Sequence, residues 1–417
     1  MSKTPKLRFK EFSGDWEKKK LGELLEFKNG INASKEQYGH GRKFINVLDI
    51  LNNNYIIYEN IIGKIDVDDS TFEKYSVGYG DVVFQRSSET REEVGTANVY
   101  LDKEHKATFG GFIIRGKKIG EYEPVFMNNL LKSSLARKEI TTKSGGSTRY
   151  NVGQDILSEV NLLFPSLEEQ EKIASFFSLI DDKISLQGEK LKMLKDYKNG
   201  MMQKIFSREL RFKDDEGRDY PEWEEKKLGD IGFFKTSSVD KLIKENENLV
   251  YLVNYMDVYK HIDINKDNIK DLMRVSAKDA QIENNNLIKG DILFTPSSET
   301  PEDIGHSIVI FEDLSNTVYS YHLVRFRPYI NLNLMYSHYF CNIDYVRSQI
   351  VKFATGSTRF TVSVNEFSQV KVNIPSYDEQ KKIGEFLNNI DKKIEKEQEK
   401  LDYLNEYKKG LLQQMFV

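Results

Sequence analysis

The sequence predicts an α+β protein: two similar globular domains and two long antiparallel helices that pair as a coiled coil, built as an internal repeat with a pseudo-twofold axis. Three observations predict it. The stretch from Pro165 to Ser207 returns without a gap as Pro375 to Val417, with 20 of 43 positions identical. Inside each copy, apolar residues recur at alternating spacings of four and three. Shorter motifs upstream also occur twice and in the same order. A repeat of this length is two structural copies.

The helices come first. Ile173, Phe177, Ile180, Ile184, Gln187, Leu191, Leu194, Lys198, Met201 and Ile205 form one seam, answered by Ile383, Leu387, Ile390, Ile394, Glu397, Leu401, Leu404, Lys408, Leu411 and Met415. Eight of the ten are apolar in each copy, which is a heptad pattern. An ordinary amphipathic helix on a globular core is the alternative. Both polar interruptions match, Gln187 with Glu397 and Lys198 with Lys408; polar seam residues can fix register. Each helix spans roughly 60 Å at ~1.5 Å per residue.

The wider repeat defines the domains. Leu7-Arg8-Phe9-Lys10 returns as Leu210-Arg211-Phe212-Lys213, and Trp16 with Lys19-Lys20-Leu21-Gly22 returns as Trp223 with Lys226-Lys227-Leu228-Gly229. Gly80-Asp81-Val82-Val83-Phe84 answers to Gly290-Asp291-Ile292-Leu293-Phe294, Ser87–Thr90 to Ser297–Thr300, and Gly146-Ser147-Thr148-Arg149 to Gly356-Ser357-Thr358-Arg359. The boundaries read as a first domain 1–164, its helix 165–207, a second domain 208–374 and its helix 375–417. Short β-branched or aromatic runs such as Asp81–Phe84, Phe112–Arg115, Ser307–Phe311 and Leu323–Arg327 predict strands. Pro124–Lys138 and Leu334–Lys352 predict helices. A domain of about 150 residues is roughly 40 Å across, too short to bridge the ends of parallel helices, so the helices are expected antiparallel. That places the first LRFK segment beside the end of the second helix and makes the chain nearly circular.

The totals exclude several functions. A net charge of −4 argues against coating nucleic acid by bulk charge, although 61 Lys and Arg allow local basic faces. The single cysteine, Cys341, cannot form an internal disulfide or a thiolate zinc site. A reducing, cytoplasmic location fits, and neither a signal core nor a membrane-length apolar run is present. No Walker A motif, no G-x-G-x-x-G after a strand and no Asn- or Asp-Pro-Pro-aromatic stretch appears. The six histidines (40, 105, 261, 306, 322 and 338) lack metal-ligand spacing. What remains is a binding device: two similar but divergent heads on a spacer suit a bipartite target with unlike halves. An enzyme with a cryptic site, and a coiled-coil scaffold without sequence-specific DNA binding, are the alternatives.

The LRFK…W…KKLG entry, the G-D-φ-φ-F turn, the G-S-T-R loop, the P-S-x-x-E-Q-x-K-I helix start and the doubled plan together resemble the specificity subunit of type I restriction–modification systems, from end to end. The resemblance implies two target-recognition domains, each reading one half of a split asymmetric site in double-stranded DNA. It implies paired helices that set the spacing and dock two methyltransferase (modification) subunits, and restriction (motor–nuclease) subunits that join them. It also implies no catalysis, no cofactor and no membrane for this chain; S-adenosylmethionine, ATP and Mg²⁺ belong to the partners, which methylate adenine or cut unmodified DNA.

Candidate contact residues follow from side-chain chemistry. In the G-S-T-R loops, Ser147, Thr148, Arg149, Ser357, Thr358 and Arg359 can bond phosphate or base, with a structural loop as the alternative. Because both heads share the loop, phosphate is the favoured target. Asn46 with Asp49, and Asn254 with Asp257, lie three apart at strand ends and can reach a groove or form a turn. Gln85-Arg86 becomes Thr295-Pro296 beside the shared Ser87 and Ser297, where discrimination can sit. Lys43 belongs to a basic run with Lys35, His40 and Arg42. Tyr255 and Tyr259 are further candidates, with core packing as the alternative. The LRFK segments, Trp16, Trp223, Glu169-Gln170 and Glu379-Gln380 read as structural or partner-facing.

Overall fold

A computed structural model of the chain describes residues 3–146 and 148–417. The chain forms two compact units: one holds the chain up to Lys190 together with Gln398–Val417, the other Leu191–Glu397. Each unit therefore contains part of both long helices, which run Leu167–Phe206 and Tyr377–Met415.

In the first unit a four-stranded antiparallel sheet has the order Leu25–Asn29, Ile113–Lys118, Val82–Gln85, Ala97–Val99. A smaller sheet orders Lys64–Ile65, Tyr38–Ile45 and Thr108–Phe109. The second unit repeats the first sheet as Gly232–Thr236, Val324–Pro328, Ile292–Phe294, Ser307–Val309. Its second sheet orders Met273–Ala277, Asn248–Val253, Leu314–Tyr319 and Asn286–Leu287. The register repeats as well. Val83 lies opposite Arg115 and Asn98, and Leu293 opposite Arg325 and Ile308.

The repeated Gly-Asp turn has a local cause. Gly80 and Gly290 have φ of +88° and +93°, where a side chain would be strained. Asp81 and Asp291 are buried and accept the amides of Gly78 and Ile288 at 2.9 Å, closing the turn that launches the central strand. The expected helix 124–138 is two helices, Pro124–Lys132 and Ser134–Lys143, because Ser133 leaves helical geometry and caps the second through Ala136 N. Likewise 334–352 divides into Leu334–Phe340 and Asp344–Phe353 around extended Ile343.

The entry segments are structural. Arg8 Nε and Nη2 donate to buried Glu169 at 2.8 and 2.7 Å. In the second unit Arg211 donates to Glu379 at 3.2 and 3.0 Å, joined by Trp223 Nε1 at 3.0 Å. Gln170 Oε1 accepts the Glu123 amide and Gln380 Oε1 that of Asn333, tying each long helix to its head. The Glu-Gln pair and the LRFK arginine thus recur because they form one clamp.

None of the twenty seam positions is exposed. In the first unit Phe177 packs 5.8 Å from Phe416 and Lys408 Nζ lies 2.5 Å from Asp181. In the second, Lys198 Nζ lies 2.6 Å from Asp391, which also accepts Tyr339 Oη at 2.6 Å. In each contact the earlier residue of one helix meets the later part of the other, so the helices are antiparallel within each unit. The polar interruptions Lys198 and Lys408 hold the same aspartate of the repeat. Each fully buried phenylalanine, such as Phe84, Phe126 and Phe177, contributes roughly 1.5–3 kcal/mol. The Leu7 amide donates to Gln414 O at 3.0 Å, and the Leu210 amide to Lys204 O at 3.0 Å. The N-terminal segment thus meets the second helix as the second LRFK segment meets the first.

Candidate nucleic-acid interface

The G-S-T-R loops are hairpin tips. Gly145 and Asn151 exchange backbone bonds of 3.1 and 2.8 Å, and Thr355 and Thr361 bonds of 3.0 and 2.9 Å. Gly146 and Gly356 have φ of +119° and +148°, and a Cβ there would lie 2.0 Å from the carbonyl oxygen of Arg149 or Arg359. Only glycine fits at these two positions. Thr148, Arg149, Ser357, Thr358 and Arg359 are all exposed; Ser147 lies outside the described residues.

The shared serines form the floor of the same site. Tyr150-Asn151 pairs with Ser88-Ser87, and Phe360-Thr361 with Ser298-Ser297. Arg359 Nη2 donates to Ser297 Oγ at 3.1 Å. Ser88 Oγ donates to Glu93 and accepts from Thr90 N, so it is committed to its own loop. Arg137 and Arg347 fasten this loop to the helix behind it through the carbonyls of Gly95 and Val94, and of Glu302 and Ile304.

Arg86 is exposed and stands between the hairpin and a neighbouring turn. Its amide donates to Phe112 O at 2.9 Å, and its carbonyl accepts from Val152 N at 3.0 Å. A cleft of 690 Å³ lies here, lined by Asn29, Arg86, Gly145, Gly146, Gln154 and Asp155. Gln85 is different. It is 4% exposed with Nε2 bonded to Ser87 O, and its equivalent Thr295 is fully buried beneath His306 N. The strand Val82–Gln85 is buried along its whole length and Arg86 is the first residue beyond it, so of this pair only Arg86 and Pro296 face the site.

Three further sets of candidates have structural partners in the fold. Asn46 Oδ1 accepts Leu48 N at 2.9 Å while Asp49 Oδ2 accepts Asn46 N at 2.8 Å; Asn254 accepts Tyr255 N and Asp257 accepts Asn254 N, at 2.7 and 2.8 Å. These are capping boxes at helix starts, the turn-forming alternative, and they engage Oδ1 of each asparagine and one oxygen of each aspartate. Burial raises the Asp49 carboxyl, opposed by its bond from the Asn46 amide. Lys43 turns inward, with Nζ bonded to Ile61 O and 5.5 Å from the Tyr58 ring. Arg42 is held by Asp69 and stacks over Phe72 at 4.1 Å. Tyr255 is half-buried and stacks on Tyr259, 5.9 Å between centroids. Burial raises its phenol, and Arg359 is among the charges acting on it.

Two turns were not among the candidates from sequence: Gly110–Ile113, which adjoins Arg86, and Ser320–Leu323, whose His322 feels the charge of Arg359. From sequence, Phe112 reads as the first residue of the strand Phe112–Arg115. The usable signal was divergence: Gly111-Phe112 becomes Tyr321-His322 between well-matched flanks. Among the described residues, no group of three His, Cys, Asp or Glu side chains could hold a metal ion.

The model of the type I restriction modification DNA specificity domain matches residues 13–196 and again 220–406. The chain belongs to this family. As its doubled domain implies, it is a DNA sequence-recognition subunit. The type I restriction enzyme MjaIX specificity subunit of Methanocaldococcus jannaschii is 23% identical, the match covering 95% of this chain and 92% of that one. The crystal structure of the M. genitalium type I restriction–modification S subunit matches with a TM-score of 0.54 at 16% identity, over 99% of both chains. A chain from a study of complex assembly and conformational transition of the type I R-M system matches with a TM-score of 0.60 at 15% identity, covering 95% of this chain and 96% of that one. Both structures support the specificity-subunit fold. No helix among the subunit's described residues is long and apolar enough to cross a membrane.

Proposed function

We propose that each unit of the subunit binds one half of a split asymmetric site in double-stranded DNA, and that the two halves differ in sequence. The carrying observation is that both units offer the same backbone frame, a glycine-closed hairpin paired to a Ser-Ser strand, with unlike side chains beside it, Arg86 and Pro296. The shared Arg149 and Arg359 take phosphate, which positions the duplex, with Thr148, Ser357, Thr358, Ser87 and Ser297 around them. Arg86 forks onto guanine O6 and N7, a contact that Pro296 cannot make. Target-recognition domains 1–164 and 208–374 are joined to spacer helices 165–207 and 375–417, whose outward faces dock two methyltransferase subunits. Those subunits use S-adenosylmethionine to methylate adenine. Restriction subunits use ATP and Mg²⁺ to cut unmodified DNA in the cytoplasm, and this chain performs no catalysis.

The test is salt-dependent DNA binding by the subunit assembled with its modification partner. Arg149→Ala with Arg359→Ala weakens binding and flattens the slope of log K against log salt by about 0.9 for each phosphate no longer neutralised, roughly 1.8 for both. The recognised sequence stays the same. An unchanged affinity and slope sinks the assignment of these loops to DNA.

A further inference from the structure

Two turns beside the proposed DNA contacts share a backbone and differ in every outward side chain. The Gly110 amide donates to Ile45 O at 3.1 Å and the Ile113 amide to Gly110 O at 2.9 Å. In the second unit the Ser320 amide donates to Val253 O and the Leu323 amide to Ser320 O, both at 2.9 Å. Gly110 is pressed against the Phe44 ring, with 2.8 Å left for a Cβ. Each turn is therefore fixed at both ends, and what it presents is set by its two middle residues.

The middle pair is Gly111-Phe112 in the first turn and Tyr321-His322 in the second, so each turn presents aromatic side chains, with Phe112 and Tyr321 exposed and His322 half-buried. Phe112 is 64% exposed, although Ile113 and Ile114 after it are fully buried. Tyr321 is 47% exposed and packs tilted against His322, 3.9 Å between centroids. A single exposed apolar residue is ordinary, but here its place is specific. Phe112 O holds the Arg86 amide, and Arg86 O holds the Val152 amide just after the first hairpin. In the second unit Pro296 O holds the Val362 amide in the same way. Burial, then the charges of Lys241 and Arg359, lower the affinity of His322 for a proton, opposed by Asp240. In both units the turn borders a cationic hairpin suited to phosphate, where a base edge comes next.

We propose that these turns tell the two half-sites apart: Phe112 reads for the first unit, and Tyr321 with His322 for the second. This rests on the DNA-binding reading above and names its discriminating residues. Phe112 offers only apolar surface, which matches a thymine C5-methyl in the major groove. Tyr321 and His322 offer hydroxyl and imidazole groups, which match the N7 and O6 acceptors or N6 donor of a purine. Arg86 beside Phe112 adds a guanine contact to the first half-site only.

The test incubates the full-length subunit, assembled with its modification partner, with a randomised duplex library and sequences the bound DNA. Wild type is compared with Phe112→Ala and with the double variant Tyr321→Ala/His322→Ala. Phe112→Ala is expected to lose about tenfold or more of its preference at one or two adjacent base pairs of one half-site. The double variant does the same in the other half-site only. The half-site left intact in each variant reports that the protein is folded. Both variants retaining the full wild-type motif, or each losing both halves equally, overturns this assignment. A wild type that enriches no split motif overturns the DNA-binding reading itself.

Discussion

Asn254 and Asp257 illustrate how one pair of polar residues can suit a groove or a helix start. The backbone takes both: Asn254 Oδ1 accepts one amide and Asp257 returns a bond to Asn254 N. Asn254→Ala should cost roughly 0.5–2 kcal/mol, the usual range for a cap, and leave the recognised DNA sequence unaltered. Urea unfolding and motif mapping of the same variant check both halves of that statement; a changed motif at full stability would return the pair to the DNA. The pattern of Asn followed three residues later by Asp before apolar residues was readable as a capping box. The outward sense of Arg86 and the inward sense of Gln85 were not readable, because they depend on where a strand covered on both faces leaves the core. Phe112 was hidden for a different reason: an apolar residue after two glycines looks like the start of a buried strand.

At the scale of elements, the clamp between the entry arginine and the helix glutamate dominates. Glu379 is fully buried with Arg211 and Trp223 as donors. Glu379→Ala leaves the buried Trp223 indole N–H without its acceptor and takes one of two carboxylates from Arg211, which keeps Glu222 and the Tyr220 and Pro221 carbonyls; it is expected to destabilise by roughly 1–3 kcal/mol. In a Trp16→Phe background, Trp223 fluorescence during urea unfolding reads the second unit, and a loss under about 0.5 kcal/mol, below the cost of an unsatisfied buried donor, would contradict the clamp. The second unit should also be acid-sensitive. His261 Nε2 meets His306 Nδ1 at 3.0 Å, with Asp303, Arg347 and Tyr259 around the pair and His338 nearby. Burial lowers both imidazoles below their ordinary range. The unfolded chain thus binds more protons as pH falls below about 6.5, so stability is full above that value and declines beneath it. Hydrogen exchange in 255–261 and 303–309, corrected for intrinsic rates, should lose protection between about pH 7.5 and 5.5; equal protection would contradict this. The long helices were legible because heptad spacing persists over some forty residues. The paired short helices were read as single ones because Ser133 and Ile343 break them by local geometry within an otherwise helical composition.

At the scale of the whole chain, the repeat was the most legible feature, since it needs only comparison of the sequence with itself. Its closure was legible too: Leu7 meets Gln414 through the bond that Leu210 makes with Lys204. A circular permutant that begins at Glu209, ends at Ser207 and joins Val417 to Lys3 by a short flexible linker should therefore fold and keep the same DNA preference. A permutant that is insoluble, or folded with an altered motif, would show that the covalent link after the first helix does more than hold the LRFK segment in place. What no self-comparison supplies is the target, because the heads diverge beside the motifs they share.

The claim that two unlike units read two unlike half-sites is tested most directly by mapping N6-methyladenine at single-molecule resolution in plasmid DNA, with the modification partner expressed alone or together with this subunit. A split, asymmetric methylated motif that appears only when the subunit is present is the expected result. Methylation that is independent of the subunit, or a palindromic motif with identical halves, would contradict it.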